Sequence, residues 1–254
     1  MNLDLTGKIA LITGASRLNG IGAATARAFA VAGADIAFTH WTRYDTSMYG
    51  SSRSEPDQLA DELRGLGVRV LPLEVDLADS AAPATVFDEI GGELGTVDIL
   101  VNNAAVSLHD DALTITADSL DRHYAVSVRG TALLTAEFAR RFTGGSSGRV
   151  INMTSGQGVG PMPDELSYAT TKGAIEALTV SSAPILAKRG ITINAVDPGG
   201  TDTGWMSDEF KAALAAESSF GRIGQPEDAA RLILFLASDA ARWITGQVIR
   251  SRGA

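Results

Sequence analysis

The chain has 254 residues, 45% of them apolar, with a formal net charge of −9 at pH 7 and no cysteine. This length is enough for one α/β domain with a sizeable core, so we predict a single domain over residues 1–254. The acidic balance argues against binding to nucleic acid or to an anionic membrane, and no apolar run reaches the ~18 residues that span a bilayer. The start, MNLDLTGK, lacks a signal pattern. Without cysteine, disulfides and thiolate chemistry are excluded. We therefore expect a cytoplasmic protein that acts on a small molecule and needs no metal.

The first predicted elements are a strand over residues 8–13 and a helix over residues 21–32, with a glycine-rich turn between them. Glycines at such a turn let the backbone approach a pyrophosphate, which the helix N-terminus then binds. Gly14, Gly20 and Gly22 have the spacing G-x5-G-x-G, which differs from the general dinucleotide fingerprint. We assign this turn to a dinucleotide cofactor, with a purely structural turn as the alternative.

The second predicted strand, DIAFTH, ends at His40, and no carboxylate follows it until Asp45. An acidic residue at this point often binds the adenosine ribose and selects NAD. Here a 2′-phosphate meets no repulsion and finds Arg17 or Arg43, so we predict that NADP(H) is preferred, with NAD(H) as the alternative. Each arginine is otherwise a solvated surface charge. Residues 46–55 are polar and are predicted as a surface loop.

Helices and strands alternate through the middle of the chain. Asp76 follows the third strand, where it can cap the next helix. Residues 102–105 follow the fourth strand, and their carboxamides and small side chains suit a site where a cofactor crosses the sheet edge. The predicted helices cover residues 56–66, 82–91 and 119–141, and the predicted strands cover residues 68–75 and 97–101.

The stretch RVINMTSGQGVGPMPDELSYATTK, residues 149–172, carries the strongest catalytic signal: a buried strand, a glycine-rich loop and a helix. Tyr168 and Lys172 are four residues apart, so a helix places them on one face. A nearby ammonium group favours the ionised phenol and lowers its pKa from about 10, which suits proton exchange near neutral pH. Ser155 closes the strand and is placed to bond the same substrate oxygen. The alternative is an ordinary amphipathic helix with an incidental Y-x-x-x-K.

The last third of the chain contains a predicted sixth strand over residues 191–196 and a proline- and glycine-rich turn after it. Residues 200–220 carry Trp205, Met206 and Phe210 among polar residues, which predicts a mobile lid over an apolar substrate, with plain core as the alternative. A helix over residues 226–236 and a strand over residues 247–249 end the pattern. Alternating strands and helices predict a doubly wound α/β fold of about seven parallel strands, with helices on both faces and right-handed crossovers.

TGASRLNGIG, VNNAA and the thirteen-residue spacing from Ser155 to Tyr168 resemble the short-chain dehydrogenase/reductase family over about residues 5–249. The resemblance implies a Rossmann-like fold, a homotetramer, and reversible hydride transfer between a nicotinamide and a carbonyl or secondary alcohol. The resemblance implies that Tyr168 is the general acid in reduction and the base in oxidation. It also implies that Lys172 lowers the pKa of Tyr168 and binds the nicotinamide ribose, and that Ser155 orients the carbonyl.

The pattern is most similar to the 3-oxoacyl-[acyl-carrier-protein] reductase branch, which implies a ketone substrate or a carrier-bound acyl group. A secondary-alcohol, sugar or steroid dehydrogenase is a second interpretation. A cofactor-binding module that has lost turnover is a third.

The resemblance also implies roles for residues outside the Ser155–Tyr168 segment. Asp76 and Leu77 meet the adenine ring, and Thr203 takes the position of a threonine that contacts the nicotinamide amide. The residues predicted to bind the cofactor are Gly14, Ser16, Arg17, Gly20, Ile21, Gly22, His40, Arg43, Asp76, Leu77, Asn103, Ala104, Tyr168, Lys172, Pro198, Gly199, Thr201 and Thr203.

Three features depart from the family pattern. The glycine loop is two residues longer than usual. Ser127 stands where an asparagine is normally found, which the family uses to hold a helix kink and a water that links the lysine to solvent. We include Ser127 among the catalytic residues. The tail Arg250, Ser251, Arg252, Gly253 and Ala254 replaces the usual acidic-glycine ending.

Overall fold

Seven parallel strands form one sheet in the order β3-β2-β1-β4-β5-β6-β7 in the computed structural model, which describes residues 3–145 and 147–253. Every neighbouring pair of strands runs parallel. The predicted doubly wound α/β fold is therefore confirmed. The strands are β1 (Ile9–Ile12), β2 (Asp35–His40), β3 (Val70–Glu74), β4 (Ile99–Asn102), β5 (Gly148–Met153), β6 (Ile191–Asp197) and β7 (Val248–Arg250).

Helices cover both faces of the sheet, so its central strands are apolar on both sides. In β1, Ala10 and Ile12 belong to one buried cluster while Ile9 and Leu11 belong to the other, because successive side chains point to opposite faces. The helices are α1 (Ile21–Val31), α2 (Thr42–Tyr49), α3 (Glu55–Gly65), α4 (Ala82–Glu93), α5 (Ala117–His123), α6 (Thr131–Arg141), α7 (Leu166–Ala187), α8 (Asp208–Glu217) and α9 (Pro226–Ala237).

The direction of strand addition reverses between β1 and β4, which lie side by side although two strands separate them in the chain. The connections that follow β1 and β4 diverge at this point and leave a crevice at the carboxyl ends of the strands. The fold therefore places the glycine turn after β1 and the asparagines after β4 at the same edge of the sheet.

The prediction of a surface loop over residues 46–55 is wrong for residues 46–49, which end helix α2, and right for residues 50–54, which connect α2 to α3. Helix α2 begins at Thr42, directly after β2, and ends at Tyr49, where Gly50 takes a left-handed conformation with φ +64°. None of the residues of α2 is buried. A short helix without a core face lacks the apolar periodicity that marks helices in a sequence, which is why the pattern does not show it.

The helix predicted over residues 119–141 is present as α5 and α6, joined without a break by a π-helical segment at Tyr124–Gly130. Ser127 lies in the middle of this segment and is buried. π-helical turns are rare and occur often at functional sites. The local departure from α-helical geometry therefore falls at the position where the sequence departs from the family asparagine.

Within residues 3–145 and 147–253, no helix is long and apolar enough to cross a membrane. The same residues contain no group of three or more His, Cys, Asp or Glu side chains arranged to hold a metal ion. Ala254, at the end of the unusual tail, lies outside the described residues.

Candidate active site

A cleft of about 1290 Å³ runs along the carboxyl ends of the strands. It brings the glycine turn after β1 together with the Tyr168 helix, although more than half of the chain separates them. The predicted site residues that line it are Gly14, Ser16, Arg17, Gly20, Ile21, His40, Asp76, Leu77, Asn103, Ala104, Ser155, Tyr168, Pro198, Gly199, Thr201 and Thr203.

Four predicted residues do not line the cleft. Ser127 and Lys172 are buried behind its wall, with exposed fractions of 2% and 4%. Gly22 packs inside the glycine turn, where an added Cβ would lie 2.7 Å from the Gly14 carbonyl oxygen. Arg43 is exposed on α2. The first three lie behind the wall of the cleft, whereas Arg43 is exposed beside Tyr44, which lines the cleft.

Ser155, Tyr168 and Lys172 come together at the end of β5. Ser155 and Tyr168 both line the cleft, and the interaction of the Ser155 side chain with the phenol favours its ionised form. Lys172 Nζ donates to the backbone oxygen of Met153 at 2.8 Å and lies 5.4 Å from the centre of the Tyr168 ring. Strand β5 ends at Met153, so Ser155 stands just beyond the strand and does not close it. The three side chains form one connected group, as the spacing predicts.

The expected lowering of the Tyr168 pKa by Lys172 is not observed. Burial raises the pKa of Tyr168 to about 12, helped by the charges of Glu165 and Asp197, while the hydrogen bond from Ser155 opposes the rise. Burial also lowers the pKa of Lys172 to about 8. Removing both groups from water disfavours the charged form of each.

The lengthened glycine loop follows a path defined by hydrogen bonds. The amide of Leu18 donates to Glu55 Oε2 at 2.9 Å, and the carbonyl of Leu18 accepts from Arg27 Nη1 at 2.7 Å. The turn closes where the Gly20 amide donates to the Arg17 carbonyl at 3.0 Å. The two extra residues thus bulge toward α3, and Gly20 still enters α1.

Asn103 fastens the glycine turn to β4. Its Nδ2 donates to the carbonyls of Thr13 and Gly14, both at 2.9 Å. A Cβ added at Gly14, where φ is +69°, would lie only 2.7 Å from the Cα of Ala104. Only glycine allows this approach between the two turns. Asn103 and Ala104 therefore shape the floor of the cleft.

The residues of α2 form a wall of the cleft that the sequence does not predict. The hydroxyl of Tyr44 accepts a hydrogen bond from the Ser107 amide at 3.1 Å, and burial raises the pKa of this phenol. The ring of Tyr49 packs edge-on against that of Tyr44, with 6.1 Å between the ring centres. Two tyrosines directly after the second strand are the signal in the sequence that points to this wall.

Arg17 reaches across the cleft and connects three of its walls. Its Nη1 donates to the Thr203 carbonyl at 2.7 Å, and its guanidinium lies 3.9 Å from the centre of the Tyr49 ring. Its Nε lies 3.8 Å from Asp45 Oδ1. Arg17 is therefore not a solvated surface charge, unlike the exposed Arg43, and Asp45 brings a carboxylate into the same part of the cleft.

Asp76 and Leu77 lie where the third strand delivers them, at the edge of the cleft. The Asp76 carboxylate accepts from the Ala78 amide at 2.9 Å and so stabilises a turn. Because α4 begins only at Ala82, Asp76 does not cap that helix. The adenine contact implied by the family stays a prediction.

Ser127 connects the π-helical segment to the loop after β4. Its Oγ accepts a hydrogen bond from the backbone amide of Val106 at 3.3 Å. Val106 follows the stretch that fastens the glycine turn. The serine therefore holds the inner wall of the cleft.

The predicted lid contains α8 and the turn before it. Trp205 and Phe210 are 50% and 45% exposed, line the cleft, and pack with their ring centres 5.7 Å apart. Met206 is buried, and Phe220 is exposed beside Gly253. The alternative interpretation, that these side chains belong to the hydrophobic core, is therefore wrong for Trp205, Phe210 and Phe220 and right for Met206.

Arg252, in the unusual tail, also lines the cleft. Its Nε donates to Asp197 Oδ2 at 2.7 Å, and Asp197 is 1% exposed. Nothing in the sequence except the departure of the tail from the family pattern singles this residue out.

The first half of the cleft has the properties that a dinucleotide requires. Helix α1 has Gly20 at its N-cap and no side chain bonded to its first amides, so these N–H groups remain to bind phosphate. The glycines bring the backbone close, and no carboxylate stands at the end of β2. The residues present thus fit a nicotinamide dinucleotide.

Known proteins resemble this chain over nearly its whole length. A family model described as enoyl-(acyl carrier protein) reductase matches residues 14–253. The uncharacterized oxidoreductase YjdA of Bacillus subtilis (strain 168) is 50% identical over 97% of this chain and 96% of that protein. The 3-oxoacyl-[acyl-carrier-protein] reductase FabG of Aquifex aeolicus (strain VF5) is 32% identical over 100% of this chain and 99% of its own length. A blue fluorescent protein from a metagenomic library, solved in complex with NADPH, has a TM-score of 0.88 at 32% identity and covers 100% and 98% of the two chains.

Replacing Lys172 with methionine tests the effect of burial on its ammonium group. The pKa of Lys172 is about 8 in the folded protein and 10.5 as the ordinary value, so the unfolded chain binds more protons between these values. The free energy of unfolding of the wild type therefore rises with pH through that window, because the penalty for burying the ammonium group disappears as it deprotonates. We expect Lys172→Met to be more stable than the wild type at pH 7, by about 3 kcal/mol at most. The advantage should shrink toward pH 10 in urea unfolding followed by circular dichroism.

Lys188→Met supplies the matched control, because it removes an exposed lysine just beyond the same helix. Both proteins in the main comparison keep Tyr168, so its titration above pH 10 cancels. A stability difference that does not change between pH 7 and pH 10 would contradict the buried-ammonium interpretation.

Proposed function

The chain belongs to the short-chain dehydrogenase/reductase family, and from this premise we propose that it transfers hydride reversibly between a nicotinamide cofactor and a carbonyl or secondary alcohol. The observation that carries the proposal is the grouping of Ser155 and Tyr168 in one cleft, with Lys172 Nζ 5.4 Å from the centre of the Tyr168 ring, while the other half of the cleft fits a dinucleotide. Position and proton come from the protein.

When bound, the cofactor supplies the hydride. In reduction, the Ser155 hydroxyl donates to the substrate carbonyl oxygen and Tyr168 transfers its proton to the same atom; in oxidation, the phenolate accepts that proton. The high pKa of Tyr168, about 12, keeps the phenol protonated, which is the form that reduction needs. Lys172 holds its ammonium against β5, where a cofactor ribose and the developing phenolate both benefit from it.

Replacing Tyr168 with phenylalanine should abolish turnover while the cofactor still binds, because only the proton donor is removed. We expect kcat to fall by at least about 100-fold with little change in cofactor affinity. Steady-state absorbance at the nicotinamide band gives the rate, and fluorescence titration gives the affinity. Tyr124→Phe removes an exposed hydroxyl and serves as the control. Wild-type rates in Tyr168→Phe would disprove the catalytic assignment.

We propose that NADP(H) binds more tightly than NAD(H). Support comes from the β2 end, which carries His40 where an NAD-selective carboxylate would stand, and from Arg17, whose Nη2 donates to no described residue. The Nη2 group leaves this guanidinium a donor for a 2′-phosphate, beside the Asp45 carboxylate that lies 3.8 Å from Nε. The NADPH complex of the structural relative agrees with this preference.

Arg17→Ala should weaken NADPH binding about 10- to 100-fold and NADH binding much less, because charged hydrogen bonds contribute about 1.5–3 kcal/mol. Isothermal titration of both nucleotides measures the two affinities. Arg43→Ala, on exposed α2, is the matched control and should leave them unchanged. Equal loss for both nucleotides in Arg17→Ala, or tighter binding of NADH by the wild type, would argue against the proposal.

For the substrate, we propose a ketone reduced in the manner of the 3-oxoacyl-[acyl-carrier-protein] reductases, to one of which the chain is 32% identical. Trp205 and Phe210 offer an apolar surface in the cleft that suits the acyl chain of such a substrate. A secondary-alcohol, sugar or steroid dehydrogenase is the alternative.

We also propose a homotetramer, in line with the exposed apolar side chains Val180 and Ile185 on α7. A mass of one chain in light scattering would contradict this proposal.

A cofactor-binding module without turnover is the second candidate, and Ser127 separates it from the enzyme. Its hydroxyl already bonds the Val106 amide inside a π-helical segment, so a hydroxyl can replace the family carboxamide at modest cost. We therefore expect Ser127→Asn to change kcat by less than about tenfold, the value of one net hydrogen bond. Rates are measured on the best ketone of a panel, with a thermal melt to verify folding. A gain well beyond tenfold, or no turnover of any ketone by the wild type, would favour the silent module.

A further inference from the structure

The tail of the chain places a guanidinium beside the catalytic serine. Arg252 lies between two glycine turns: its Cγ would be 3.0 Å from a Cβ added at Gly199, and its Nη2 would collide with a Cβ added at Gly156. Gly156 follows Ser155 directly, and Gly199 belongs to the turn after β6. The absence of side chains at both positions is what allows the arginine to enter the substrate half of the cleft.

The hydrogen bonds of Arg252 leave most of its donors unused. Only Nε is engaged, by Asp197, whose other oxygen accepts from the Gly199 amide at 2.9 Å. Neither Nη1 nor Nη2 donates to any side chain or carbonyl within the described residues. Its side chain is 28% exposed and lines the cleft. A purely structural contact with Asp197 uses only Nε of the guanidinium. The edge formed by Nη1 and Nη2 remains available to a ligand.

The charges around the arginine favour a ligand with a single negative charge. Asp197 offsets part of the guanidinium charge, which lowers the cost of holding it in the protein interior. Glu165 adds a carboxylate to the wall of the same cleft and raises the pKa of Tyr168. A dianionic phosphate would therefore meet more repulsion than a carboxylate, whose planar shape matches two parallel N–H donors.

We propose that Arg252 binds a carboxylate of the substrate, so that the enzyme acts on oxo acids or hydroxy acids whose carbonyl reaches Ser155 and Tyr168. This inference rests on the proposed hydride transfer and narrows the substrate to ketones or alcohols with a free carboxylate, which a carrier-bound acyl thioester lacks. The carboxylate lies beyond the reacting carbonyl, on the side of Gly156 and Gly199. Neutral ketones of the same length lack this contact.

Binding of a carboxylate is measured first, because it does not depend on turnover. Isothermal titration compares hexanoate with hexanamide on the protein with and without NADP⁺. Hexanoate should bind at least about tenfold more tightly, and Arg252→Gln should remove the difference. Arg250→Gln is the matched control: Arg250 is exposed in the same tail, bonds the Gly158 carbonyl and does not line the cleft. Equal affinities for the two ligands, or a preference that survives Arg252→Gln, would overturn the proposal.

Turnover then separates this inference from the proposed function. NADPH oxidation is followed with 4-oxopentanoate, 5-oxohexanoate and 6-oxoheptanoate, each beside its methyl ester. The ratio of kcat/KM for the best acid over its ester should be at least about ten in the wild type and fall toward one in Arg252→Gln. Arg252→Lys keeps the positive charge but lacks the two parallel N–H donors of the guanidinium, so it should retain part of the acid-over-ester ratio. This variant replaces Arg252→Gln if the glutamine variant fails to fold.

Esters reduced as well as acids would overturn the carboxylate site and leave hydride transfer standing. No reduction of any ketone would count against the proposed function, while the titration still decides whether Arg252 binds a carboxylate.

Discussion

The burial of Lys172 is the constraint on which the site depends. An ammonium group that is 4% exposed is bonded to the Met153 carbonyl at the end of β5, and burial lowers its pKa to about 8. The sheet supplies the acceptor, α7 supplies the lysine, and the same helix turns Tyr168 into the cleft. A buried cation destabilises the fold unless something compensates it. The packing of seven strands and two helix layers provides that compensation and holds the phenol and the amine in fixed positions.

The sequence alone was sufficient to predict a doubly wound sheet of about seven parallel strands, because strands buried on both faces read as unbroken apolar runs. The order of the strands is known only from the structure. It also placed Tyr168 and Lys172 together, since spacing on a helix is a local property, whereas Ser155 was identified by its position after β5 and by the family resemblance. It did not predict the pKa of Tyr168. Burial has the largest effect on that pKa, and the charges of Tyr49 and Asp197, which come from distant parts of the chain, raise it further.

The features of the cleft that the sequence pattern did not predict are formed by short polar segments. Helix α2 has no core face, and its side chains contact the cleft instead. The guanidinium of Arg17 contacts a ring and a carboxylate of α2 and the Thr203 carbonyl in the turn after β6. Such contacts are set by tertiary geometry and leave no period in the sequence. The tail behaves in the same way: a departure from a motif marked Arg252, yet only the structure shows that it points toward Ser155.

The π-helical segment bears on how this chain can gain or lose residues. A π-turn accommodates one residue more than the α-turn it replaces, so the flanking helices keep the phase they would have in a shorter, regular helix. On one side His123 bonds the Leu108 amide, and on the other Leu134 and Phe138 enter the core. A single deletion within Tyr124–Gly130 would therefore leave both flanks facing their present neighbours. It would rotate only Ser127 and its immediate surroundings, so an evolutionary indel here alters the chemistry of the cleft while sparing the scaffold.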